Sequence, residues 1–114
     1  MKQTKIYKPV LLSGAKPSGE LHIGNYIGAI RQWISLQDSH ETYVPIVDLH
    51  ALTEPQDPAH LRAHSREAAA DYIALGLDPS KAAIFLQSAV PAHTQLMWIL
   101  ATLSAMGELE RMVV

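Results

Sequence analysis

Apolar positions along the chain fall into short unbroken runs separated by longer helical repeats. Val10-Leu11-Leu12 is the first run and predicts a buried strand over 10–13. Beyond a glycine-rich stretch, Ile23, Ile27, Ile30 and Ile34 recur at helical spacing. They predict a helix from near Gly24 to about Gln37, with those isoleucines inward and Arg31 and Gln32 outward. Residues 43–48 read as a second strand. Pro45 has no N–H for a ladder, so it is placed near the start of that strand. Asp57-Pro58 suits a helix cap followed by a proline in the first turn. The helix predicted over 59–75 puts Leu61, Ala68, Tyr72 and Leu75 on one face. Gly76 suits the left-handed turn that ends it, and Pro79 prevents resumption. A third strand is predicted over 83–87. A third helix is predicted over 93–103, with Leu96, Ile99, Leu100 and Leu103 inward. Gly107 interrupts, and 108–114 restarts as helix.

The order is β-α-β-α-β-α, the first half of a Rossmann-like α/β fold with a parallel sheet. In such sheets ligands bind beyond the carboxyl ends of the strands, where strand order reverses. Two polar clusters fall there: the loop after the first strand, and Asp48-Leu49-His50 after the second. Three parallel strands with an open edge and the ending Val113-Val114 are expected to be part of something longer.

Composition narrows the function classes. The chain has 114 residues, 48% apolar and 18% charged, which suits one soluble domain. A net charge of −2 gives no polybasic surface for nucleic acid. There is no cysteine, so a disulfide framework and a thiolate zinc site are excluded, and a cytoplasmic location is expected. No stretch reaches the roughly 18 apolar residues of a membrane span, and the start Met1-Lys2-Gln3-Thr4-Lys5 lacks a signal-peptide pattern.

The segment from Ser13 to Asn25 carries the chemistry. A glycine-rich turn between strand and helix lets backbone N–H groups surround phosphate oxygens at the positive end of the helix. This one adds His22 and Asn25 where the helix begins. Gly14, Gly19 and Gly24 also read as ordinary turn residues, His22 as a cap, and Asp48 and His50 as groups satisfying backbone at a strand end.

These residues resemble the N-terminal part of the tryptophanyl-tRNA synthetases, class I aminoacyl-tRNA synthetases. Ser13-Gly14, Pro17-Ser18-Gly19 and His22-Ile23-Gly24-Asn25 match that family's form of the "HIGH" motif, with Asn25 for the second histidine. Val47-Asp48-Leu49-His50-Ala51-Leu52-Thr53, Gln87-Ser88 with Val90-Pro91, and Gly107-Glu108-Leu109-Glu110-Arg111-Met112 match three further blocks. Leu12, Lys16 and Leu49 depart, standing where the family often has phenylalanine, glutamine and glutamine.

The resemblance implies attack of tryptophan's carboxylate on the α-phosphate of ATP, with Mg²⁺ accompanying the nucleotide, then transfer to tRNA(Trp) by a homodimer. It implies catalytic roles for His22, Asn25 and Lys16, and ATP contacts from Lys16, Pro17, Ser18, Gly24 and Asn25. Gly24 would let adenine approach the backbone. It implies a tryptophan pocket involving Leu12, Gly14, Val47 and His50, and no protein metal site. The "KMSKS" loop, the residue reading the indole N–H and the anticodon-binding domain are expected beyond residue 114. The alternatives are another nucleotidyltransferase using an H-x-G turn, and a non-catalytic nucleotide-binding module.

Other features read as structural. His60 and His64, four apart, lack the glutamate and third ligand of a metal helix and read as a solvated face. Trp33 and Trp98 read as core or interface, Met97, Met106 and Met112 as packing. Glu108, Glu110 and Arg111 read as a solvated face or a subunit interface.

Overall fold

A computed structural model describes residues 7–17, 19 and 21–112. Its sheet has three strands, β1 (Val10–Leu12), β2 (Glu41–Ile46) and β3 (Ala82–Leu86), parallel and in sequential order. The α/β alternation is as expected. Strand order does not reverse among the described strands, and β1 and β3 are the edges.

The first helix is built in three parts: α1 (Ile23–Asn25), a π turn (Tyr26–Ile30) and α2 (Arg31–Leu36). In the π turn the Arg31 N–H reaches back five residues to the Tyr26 carbonyl. That wide turn adds a residue to the helical repeat. The buried stripe therefore runs through Tyr26, Ala29, Ile30, Trp33 and Ile34 to Gln37. The expected isoleucine stripe is half right: Ile30 is buried and Ile34 packs on the core, but Ile23 and Ile27 are 72% and 55% exposed.

Pro45 lies near the end of β2, the central strand, not near its start. The ladder explains how it is tolerated. Glu41 N–H donates to Pro9 O (2.8 Å) and Val47 N–H to Ala15 O (3.5 Å), so odd-numbered residues of β2 turn their backbone groups toward β1. Pro45 falls on that side, where it has no proton to give, and β1 ends at Leu12. The pairing of β2 with β3 continues unbroken to Ile46–Leu86. Contact with the first chain segment resumes at Ala15–Ile46. In the gap, a Cβ on Gly14 would collide with the Pro45 carbonyl oxygen.

The remaining helices are α3 (Asp48–Ala51), α4 (Pro58–Ala74), α5 (Ala92–Leu103) and α6 (Met106–Leu109), followed by a 3₁₀ turn (Glu110–Met112). Asp57 caps α4, accepting from Ala59 N–H (2.8 Å) and His60 N–H (3.0 Å). These bonds hold the Asp57 carboxyl below its usual range. Gly76, at φ +117°, ends α4. Leu77 N–H returns to Tyr72 O and Gly76 N–H to Ile73 O, the paired bonds of a Schellman turn. Gln37 clamps that turn from the first helix: its amide donates to Gly76 O (3.2 Å) and accepts from Asp78 N–H (2.8 Å).

The first helix and α4 cover one face of the sheet. Ile30, Trp33, Ala68, Tyr72 and Leu77 meet Val44, Ile46 and Ala82 there. Trp33 and Tyr72 meet edge to face, with ring centroids 5.4 Å apart, and burial pushes the Tyr72 phenol up. Leu61 is half-buried and Leu75 is exposed, so only part of the expected α4 face is core.

α5 corrects the sequence reading most sharply. Leu96, Ile99, Leu100 and Leu103, expected inward, are exposed, and so is Trp98 at 69%. The apolar repeat forms the helix, but no described residue covers that face. Met97 and Met106 are likewise exposed. Glu108, Glu110 and Arg111 are exposed as read, and Val113 and Val114 and the Met112 side chain lie outside the described residues.

Candidate active site

After β1 the described residues of the connecting segment are pinned at three points. Ala15 bridges to β2 and its carbonyl accepts from the Tyr72 hydroxyl (3.5 Å). The Pro17 side chain, expected at the ATP site, is instead fully buried as an anchor of the loop, and Leu21 packs on the core. Lys16 projects between these anchors, and its Nζ pairs with Glu54 Oε1 at 2.8 Å. Ser18, predicted to touch ATP, lies outside the described residues.

His22 and Asn25 form a reciprocal cap at the start of α1. His22 Nδ1 accepts from Gly24 N–H (3.1 Å), and Asn25 Oδ1 accepts from His22 N–H (3.0 Å). An imidazole whose Nδ1 accepts carries its proton on Nε2. The cap thus fixes the ring and leaves Nε2–H, a donor, on an exposed residue. A Cβ at Gly24 would stand 3.0 Å from His22 Cε1 and Nδ1, so the ring would have to shift by a few tenths of an ångström to admit it. The capping reading of His22 is met through Nδ1, and Nε2 takes no part in the cap.

The second cluster lies after β2. Asp48 opens α3 and binds the segment after β3: its Oδ1 accepts from Ser88 N–H (3.0 Å) and its Oδ2 from the Ser88 hydroxyl. His50 Nδ1 meets Gln87 Oε1 at 2.9 Å. His93 Nδ1–H donates to the Gln87 carbonyl (3.3 Å), and its ring stacks on Phe85. A cleft of about 550 Å³ is lined by Leu49, His50, Thr53, Gln87, His93, Thr94 and Met97.

The residues assigned to the tryptophan pocket are only partly brought together. Gly14 lies beside Val47, since a Cβ there would come within 3.1 Å of Val47 Cγ1. His50 lines the cleft, but Leu12 is exposed at the end of β1 and is not among its walls. Neither His22 nor Asn25 lines this cleft or the one of about 600 Å³ between α4 and β3, where Asp48 joins Arg62, Arg66 and Ser88.

Sequence reasoning missed Glu54 as the partner of Lys16, and missed Gln87 and His93 as walls of the cleft. Gln87 had a usable signal: it follows the third strand at the carboxyl edge, where the first two clusters were found. Glu54 sits in a turn with no pattern to mark it. Among the described residues no three His, Asp or Glu side chains group closely enough to hold a metal ion. His60 and His64 are neighbours, with centroids 6.3 Å apart. No described helix is long and apolar enough to cross a membrane.

Comparison with known proteins agrees with this fold. Residues 5–114 match the family described as tRNA synthetases class I (W and Y). A curated tryptophan–tRNA ligase 2 from Streptomyces avermitilis is 54% identical over 106 residues, covering 92% of this chain and 32% of the relative. A tryptophanyl-tRNA synthetase from Campylobacter jejuni, solved with ADP and tryptophan, superposes with a TM-score of 0.82 at 44% identity. The match covers 89% of this chain and 32% of that one. A tyrosyl-tRNA synthetase from Archaeoglobus fulgidus, solved with L-tyrosine, superposes at 0.80 with 27% identity, covering 94% of this chain and 35% of that one. The chain spans about a third of the length of the curated relatives it matches. With its parallel sheet, its capped histidine turn and matches along nearly its whole length, the chain belongs to the class I tRNA synthetases of the tryptophan and tyrosine group.

Proposed function

We propose that this chain is the N-terminal portion of the catalytic domain of a tryptophan–tRNA ligase. The remainder of that domain and the anticodon-binding domain would lie in further sequence, a reading supported by the one-third share of the relatives' length. The observation that carries the chemistry is the His22–Asn25 cap, which commits Nδ1 to the helix and leaves Nε2–H free to donate.

In this reading ATP lies across the turn after β1, with Mg²⁺ bound to its phosphates as part of the substrate. The tryptophan carboxylate oxygen bonds to the α-phosphorus, the bond to the bridging oxygen breaks, and pyrophosphate leaves with that electron pair. Such a transfer needs positioning and charge stabilisation more than a nucleophilic side chain. His22 Nε2–H donates to a phosphate oxygen as charge develops. Lys16, released from Glu54, offsets phosphate charge. The backbone at Lys16 lines the phosphate side, and Asn25 holds the cap while Gly24 admits the adenine. A hydroxyl of the terminal ribose of tRNA(Trp) then attacks the adenylate carbonyl and AMP leaves.

Tryptophan rather than tyrosine is supported by the 44% identity to the Campylobacter enzyme solved with tryptophan against 27% to the tyrosyl enzyme. Leu12, Gly14, Val47 and His50 would face the amino acid. The reading includes a homodimer working in the cytoplasm. The test is exchange of labelled pyrophosphate into ATP by the intact protein. Exchange is expected with tryptophan and not with tyrosine. Tyrosine-driven exchange would overturn the substrate, and no exchange with either would favour a non-catalytic nucleotide-binding module.

A further inference from the structure

We propose that Gln87 is a positioning residue that fixes the protonation pattern of His50, and through it the grip of the cleft on the amino-acid substrate. This rests on the reading above for the identity of the ligand, but not for the geometry. His50 Nδ1 lies 2.9 Å from Gln87 Oε1, a carbonyl oxygen that only accepts. The His50 proton is therefore on Nδ1, and Nε2 is left as an acceptor on a residue that lines the 550 Å³ cleft. An acceptor there suits an N–H of the substrate, on its ammonium or its indole.

Gln87 is itself held in place. Its carbonyl accepts from Val90 N–H (3.1 Å) and from His93 Nδ1–H (3.3 Å). The next residue, Ser88, is tied to Asp48 at the start of the helix that carries His50. The end of β3 and α3 are thus joined at adjacent positions, which restrains the Gln87 amide relative to the imidazole. A supporting group whose own backbone is anchored orients its partner more exactly than a free side chain could. His22 shows the opposite choice: there Nδ1 accepts and Nε2–H donates. The two histidines present a donor to one ligand and an acceptor to the other.

Two variants of the intact protein test this. Gln87→Leu removes the acceptor, and Gln87→Glu keeps an oxygen to accept the Nδ1 proton. Imidazole ¹⁵N spectra, with His50 identified from a His50→Gln spectrum, should show Nδ1 protonated in the wild type and in Gln87→Glu, and a tautomer mixture in Gln87→Leu. KM for tryptophan should rise about five- to tenfold in Gln87→Leu, the range of one lost hydrogen bond. KM for ATP should be unchanged, and Gln87→Glu should recover most of the tryptophan KM only at a pH high enough to keep His50 neutral, because a carboxylate beside the ring favours the imidazolium, whose Nε2–H donates. A wild-type spectrum with the proton on Nε2 would overturn the proposal. So would a Gln87→Leu protein with an unaltered His50 tautomer. A pinned tautomer in a protein showing no tryptophan-dependent exchange would leave the positioning role standing and sink only the functional reading.

Discussion

His22 offers a way to separate scaffold from chemistry, because its two ring nitrogens have different tasks. Nδ1 takes the Gly24 N–H at 3.1 Å and closes the cap with Asn25, while Nε2–H has no part in that bond. His22→Ala removes both. Loss of a capping side chain costs about 0.5–2 kcal/mol, and the Asn25 half of the box, through the His22 backbone N–H, survives the change. A stability loss near 1 kcal/mol is therefore expected, read as a lower urea midpoint with an unchanged slope. His22→Asn separates the two tasks. Asparagine is among the best caps and accepts from the same Gly24 N–H, so stability should stay within about 0.5 kcal/mol of the wild type. The imidazole donor is nonetheless gone. If Nε2–H stabilises the developing phosphate charge, adenylation should fall about 10²- to 10³-fold in both variants, as for one lost oxyanion donor. Urea melts and tryptophan-dependent pyrophosphate exchange measure the two quantities on the same protein. Full exchange activity in His22→Asn would refute the reasoning and leave the histidine as a cap alone.

Three other changes probe neighbouring parts. Gly14→Ala should destabilise by about 1–3 kcal/mol, since its Cβ meets the Pro45 carbonyl, which the central strand holds in place; an unchanged melting curve would contradict that contact. Glu54→Gln should lower KM for ATP about two- to fivefold with little change in stability, because Lys16 no longer has to leave a partner. An unchanged or higher KM would remove Lys16 from the phosphate site. Asp57 is held below its ordinary value of 3.8 by the His60 and Ala59 N–H groups. Its contribution to stability is present above that ordinary value and lost as pH falls through the lower folded value. Asp57→Asn keeps an accepting oxygen but does not titrate, so urea melts on either side of pH 3.8 should show a shallower acid limb than the wild type; identical limbs would count against the cap.

The parts of the fold that depend on local chemistry were legible in the sequence. Asp57-Pro58 starts α4 and Gly76 ends it because a cap and a left-handed turn need those residue types wherever they occur. The turn carrying His22 and Asn25 was found for the same reason. What escaped depends on partners distant in sequence. The π turn shifts the helical phase, so equal spacing of Ile23, Ile27, Ile30 and Ile34 did not mean equal burial. Pro45 sits in a central strand because the facing segment has Gly14 and breaks its ladder there, a fact about two segments together. The α5 repeat identified a helix correctly but not what lies against it. Within the site, Lys16 and His50 were singled out by type and position. Their pairing with Glu54 and Gln87, 38 and 37 residues away, is made by the fold, although the place of Gln87 after the third strand was a signal in the sequence.

The central claim is that the backbone between β1 and the first helix receives a nucleotide, with the His22 ring presented to its phosphates. Titration of the intact protein with ATP and Mg²⁺, followed by backbone amide and imidazole ¹⁵N spectra, tests it most directly. The account predicts saturable shifts centred on Gly14, Lys16, Gly24 and Asn25, with the His22 Nε2–H signal moving as Nδ1 stays in its cap. Saturable binding that moves amides elsewhere and leaves these residues and the His22 ring unaltered would contradict it.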